Sequence, residues 1–153
     1  MLKALMITFG TALLPVLEIR GAIPVGIAHG LDAWTAYIVG FIGNMLPIPF
    51  LILLTRHVIE WLKKHNILVK FTAWLERKGH EKGEKVRQYS FWGLLIVVAI
   101  PLPGTGAWTG ALVASLLNMR LKDALPAITL GVLIAGGIVM AVTFGVISAS
   151  ALL

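Results

Sequence analysis

The sequence predicts an all-α integral membrane protein of two inverted repeats, each a broken, re-entrant helical hairpin followed by one transmembrane helix. Three observations predict it. The chain is 58% hydrophobic and only 13% charged, about half the charge that a water-exposed surface carries. Its apolar residues form four stretches, two unbroken and two interrupted near their middles by proline and glycine. Nine of its thirteen Lys and Arg crowd between Arg56 and Arg87, which marks a cytoplasmic loop beside a membrane segment rather than a nucleic-acid surface.

The N-terminal "MLKALMITFGTALLP" has the look of a signal peptide. Its small-x-small candidate, Gly10-Thr11-Ala12, follows an apolar core shorter than the roughly seven residues a signal needs, so the segment is expected to stay in the mature fold. The first repeat, residues 1–54, opens with a hairpin at 2–31 that "PVLEIRGAIP" breaks in its middle. Half-helices of about ten to fifteen residues do not span a bilayer comfortably. The helix predicted at 33–54 does, at 1.5 Å per residue, and Pro47 and Pro49 should kink its last turns. Residues 55–90 read as a basic cytoplasmic linker. Within it, Trp61, Leu68, Phe71, Trp74 and Leu75 among Lys63, Lys64 and Lys70 predict an amphipathic helix on the anionic inner leaflet. The second repeat, 91–153, has a hairpin at 91–118 broken by "PLPGTG" and an uncharged span within 123–146.

An internal alignment ties the four stretches together. "RGAIP" at Arg20–Pro24 falls on "TGAWT" at Thr105–Thr109, and Asp32-Ala33 then falls on Asp123-Ala124, with Ala36 on Ala127 and Gly40 on Gly131. Charge supplies the orientation. With the linker inside, the first hairpin dips in from the outside, whereas the second, ending at Arg120 and Lys122, dips in from the cytoplasm. That is the inverted plan of secondary transporters and channels. The competing plan makes each broken stretch a single kinked span.

Glu18 and Arg20 lie at the first break. Irregular backbone at membrane depth survives only against protein or a water-filled cavity, and ionisable residues there are costly and commonly functional. Glu18 is the candidate proton carrier. Arg20 presents a planar fork suited to phosphate or carboxylate, and the alternative is a structural ion pair between the two. Gly21 and Pro24 beside them, and Pro101, Pro103, Gly104, Thr105 and Gly106 in the opposite break, are candidate substrate-binding residues, and the glycines and unwound N–H groups of "PLPGTG" could hold an anion. Asn44, one turn beyond Gly40, is either a pathway residue or interhelical glue.

The recurring small residues, among them Gly137, Ala141 and Gly145, read as close helix packing that includes a candidate homodimer face. His29, His57, His65 and His80 lack metal-ligand spacing, and the chain has no cysteine. "GTGAWTG" lacks the strand and third glycine of a dinucleotide loop. No metal or cofactor is expected, and no nucleophile–base pair at membrane depth points to an enzyme.

In combination, "EIRGAIP" at Glu18–Pro24, Gly43-Asn44 before the proline pair, and "PLPGTGAWTGALVA" at Pro101–Ala114 resemble the small multidrug export family. The resemblance covers nearly the whole chain. It implies a distant place in the DedA superfamily, opposed re-entrant hairpins, and a bacterial or archaeal cell membrane crossed several times. Some members of that superfamily translocate undecaprenyl phosphate or scramble phospholipids. The expected function is proton-coupled export of a small solute or drug. The alternatives are a translocase for an anionic lipid and a non-transporting scaffold.

Overall fold

The computed structural model describes residues 1–67, 69, 70, 73, 74, 77, 83–102 and 104–150. Among them the ordered elements are all helices: α1 Leu2–Leu13, α2 Glu18–Ala28, α3 Ala33–Met45, α4 Ile48–Lys64, α5 Gly83–Ala99, α6 Ala107–Leu116 and α7 Leu121–Ser150. Two spans are long and apolar enough to cross a membrane, α3 with α4 over Ala33–Lys64 and α7.

Each break has a local cause. Leu14 is extended, at φ −73° and ψ 132°, because Pro15 disfavours helical backbone in the residue before it. Helix α2 then begins at Glu18, whose φ of 49° is left-handed and uncommon for a residue with a side chain. The break is therefore confined to Leu14–Leu17. The sequence reading extended it to Pro24, yet Glu18–Pro24 are helical. Pro24 is accommodated within α2 and only deprives the Arg20 carbonyl of its usual donor four residues on.

Asp32 caps α3, its carboxylate accepting from the Thr35 amide at 2.9 Å and the Thr35 hydroxyl at 2.6 Å. Those two bonds hold its carboxyl below the ordinary carboxylate range. Helices α3 and α4 part at Leu46-Pro47, as the proline pair predicts. Helix α4 continues ten residues past the expected end at Leu54, because Thr55–Lys64 contains no breaker and Lys63 and Lys64 suit its negative C-terminal end. Of the expected inner-leaflet helix, Trp61–Lys64 belong to α4, and Leu68, Phe71 and Leu75 lie outside the described residues. Helix α5 starts at Gly83 rather than Phe91, and α7 extends beyond 123–146 at both ends.

Two trios of helices carry the packing, α1 with α2 and α3, and α5 with α6 and α7. Small residues set their separations. A Cβ on Gly26 would lie 2.7 Å from Thr8 Oγ1 and 3.0 Å from Ala36, and one on Gly43 would lie 2.9 Å from the Phe9 carbonyl. In the second trio, Gly131 meets Val98 and the Leu95 carbonyl, and Gly110 meets Val98 and Ile128. The trios join through α2 and α3 against α7, and α4, outside both, packs on α6, around buried Ile19, Ile23, Ile52, Val98, Ile128 and Val132. Trp34, Ile38, Phe50, Leu54, Ile134 and Val146 point outward, as an apolar surrounding allows. Gly137 and Gly145 have open space before them.

Candidate functional site

The two breaks meet. Glu18, 5% exposed at the start of α2, reaches the start of α6, where Oε2 accepts from the Ala107 amide at 3.1 Å and Oε1 from the Trp108 amide at 3.1 Å. The first amides of a helix have no partner within it and form its positive end, so a carboxylate there satisfies two donors at once. The local N-cap, Gly106, brings no side chain to this task. A Cβ on Gly106 would sit 2.1 Å from Glu18 Oε2, so only glycine leaves room for the carboxylate.

Arg20 serves the other side of the same break. Its Nη1 donates to the Leu102 carbonyl, and Nη2 donates to Ile100 at 2.9 Å and to Val98 at 3.3 Å, where α5 ends. The Thr105 hydroxyl lies within hydrogen-bond reach of the same Ile100 and Leu102 carbonyls, at 2.8 and 2.9 Å. A cation at the negative end of α5 and an anion at the positive end of α6 are each placed as the helix dipoles favour. No direct ion pair joins Glu18 to Arg20 among the described residues. The two charges diverge from one helical turn instead of lining one wall of an extended tip, because α2 has already begun at Glu18.

The other sequence candidates take definite places. Gly104, at φ 79°, makes the left-handed turn of the second break, and the Thr109 hydroxyl donates to its carbonyl at 2.8 Å. Pro101 stands between the two carbonyls that Arg20 binds most closely, and Pro103 lies outside the described residues. Gly21 packs beneath Leu17, and Pro24 is inside α2. Asn44 is wholly buried, with neither amide atom hydrogen-bonded. Contacts between α2 and α3 step from Gly26 with Ala36 to Ala22 with Gly40, so the next turn brings Asn44 level with Glu18. Directly after the run whose N–H groups were expected to hold an anion, the amides of Ala107 and Trp108 are taken by the protein's own carboxylate. Among the described residues no cluster of His, Asp and Glu fits a metal ion.

Sequence reasoning did not single out Trp108. It is the residue held by Glu18, its indole Nε1 is buried without an acceptor, and its ring lines a groove beside α4. Its position directly after the Gly-Thr-Gly-Ala run was the available signal.

No curated protein and no solved structure matches the chain. A protein-family model described as "Putative small multi-drug export protein" matches residues 18–138, beginning at Glu18 directly after the first break and taking in the second. With most of its length matched, the chain belongs to the small multi-drug export protein family.

Proposed function

We propose that the protein is a proton-coupled exporter of a small solute, with Glu18 as the coupling carboxyl. The observation that carries the reading is the bridge from Glu18 to the first two amides of α6, made at the break of one hairpin to the break of the other. Charge-assisted hydrogen bonds are roughly twice as strong as neutral ones. Proton uptake by Glu18 therefore weakens the link between α2 and α6, and proton release restores it. Arg20 keeps its grip on α5 in both states, so the movement falls on α6, with Gly104 as the flexible point.

Two opposed re-entrant hairpins would suit this action, since each break then stands at half depth against the other. Trp108 lining one groove with Pro47 and the first turns of α4, and Ser115 Oγ donating to the Ile52 carbonyl at 3.2 Å, support α6 running alongside α4 in the same direction. Asn44, level with Glu18 and without a partner, fits a place on the proton or solute path. The anionic-lipid alternative asks Arg20 to leave three carbonyls before it can hold a phosphate.

Glu18→Gln keeps the shape of the side chain and removes its charge. In proteoliposomes this variant should lose proton-driven accumulation of substrate while retaining exchange without a gradient. Accumulation at the wild-type rate would remove Glu18 from the coupling role.

A further inference from the structure

We infer that the groove between α4 and α6 is the entry site for the solute, and that it takes an apolar molecule carrying a hydrogen-bond acceptor directly from the lipid phase. This rests on the export reading above and names the class of substrate. The groove has a volume of about 590 Å³, within the range of pockets that hold drug-sized molecules. Phe50 and Leu54 line it on the outward face of α4, together with Pro47, Leu51 and Trp108.

Its length and direction matter as much as its size. From Pro47 to His57 the groove follows ten residues, about 15 Å of helix and half the hydrocarbon thickness. It thus connects the break with the membrane face at which α4 ends in Lys63 and Lys64. An apolar molecule dissolved in that leaflet reaches the centre of the protein without crossing water.

The acceptor requirement comes from Trp108. Its indole Nε1–H is buried and has no partner, a costly condition for a donor in apolar surroundings. An acyl chain filling the groove offers no acceptor at that depth. A solute with a carbonyl or ether oxygen at its inner end does, after a small rotation of the indole. The same residue's backbone amide is held by Glu18 at 3.1 Å, so occupancy at the indole acts on the residue whose release follows protonation.

Benzophenone, a small apolar ketone, serves as the photo-crosslinking probe on the whole protein in nanodiscs without a proton gradient. Competition by fluorenone and fluorene, matched in size and differing in one carbonyl, reads the acceptor term. Crosslinks should map to Phe50, Leu54 and Trp108, and fluorenone should compete about five- to tenfold better than fluorene. Trp108→Phe should abolish that difference while keeping the fluorene affinity, and Phe50→Ala should weaken both. Crosslinks scattered over the lipid-facing surface, or equal competition by both compounds in the wild type, would mean that the groove holds only acyl chains and would overturn the proposal. The competition is read without a proton gradient, so failure of the groove in this assay is distinguishable from failure of coupling, which the Glu18→Gln proteoliposome assay reads.

Discussion

At the scale of single residues, the site depends on one absent side chain. Gly106 stands where any Cβ would overlap the Glu18 carboxylate, so Gly106→Ala must push it off the two α6 amides. Charged hydrogen bonds contribute about 1.5–3 kcal/mol each, so the variant should lose about 2 kcal/mol or more of stability. Thermal unfolding in nanodiscs measures this, with Gly10→Ala, a site with open space before it, as the neutral control. A Gly106→Ala protein as stable as wild type would show that the bridge contributes little. Asp32 gives a pH test away from the membrane core. Its carboxyl titrates below the ordinary range because Thr35 donates to it twice, so the cap is complete above that range and is lost as pH falls through the lowered value. Amide exchange at Thr35 should accelerate below about pH 4, and Asp32→Asn, which still accepts, should remove the dependence. Glu18 and Arg20 were legible in the sequence as charges stranded in an apolar stretch. Their partners were not, because a backbone amide or carbonyl is common to every residue and leaves no mark in the sequence.

At the scale of elements, the two charges act as remote caps for a broken helix. Glu18 completes the start of α6 and Arg20 the end of α5, across 78 to 90 positions in the chain. A mutual ion pair would make a double change milder than either single one, since the cost of a buried pair falls on the partner left behind. Divergent partners reverse that expectation. Glu18→Gln with Arg20→Gln should be less stable than either single variant, because different backbone groups are orphaned in each. Unfolding of the four proteins in one set of conditions decides it, and recovery of wild-type stability in the double variant would restore the ion pair. The breaks themselves were readable from Pro15, the Pro47 and Pro49 pair and the Pro-Leu-Pro-Gly run, whose effect is local. The true extent of α2 was not, because a proline seven residues into a helix can be absorbed when packing on α1 and α3 holds the helix together.

At the scale of the molecule, the question is which ends of the long spans share a face. Sequence charge places Arg120 with the basic linker, and the helix packing gives a separate reason. Trp108, at the start of α6, lines a groove with Pro47 and the first turns of α4, and Ser115 further along α6 bonds Ile52, which is consistent with α6 advancing towards the end of α4. On the opposed-hairpin plan proposed above, the turn after Leu116 delivers Arg120 to the side of His65, and α7 carries the chain back to the side of Asp32. The residue-by-residue repeat alignment is looser than this arrangement. On the proposed repeat the helix starts pair Glu18 with Ala107 and Ala33 with Leu121, a register different from the one the sequence alignment uses. Because the chain has no cysteine, single cysteines at Asp32, His65, Arg120 and Ser150 can be labelled one at a time with an impermeant maleimide in intact cells. Asp32→Cys and Ser150→Cys should react from outside, and His65→Cys and Arg120→Cys only after the membrane is opened. External labelling of Arg120→Cys would make α5 and α6 a single kinked span, and Glu18 would then bridge two crossing helices instead of two hairpin tips.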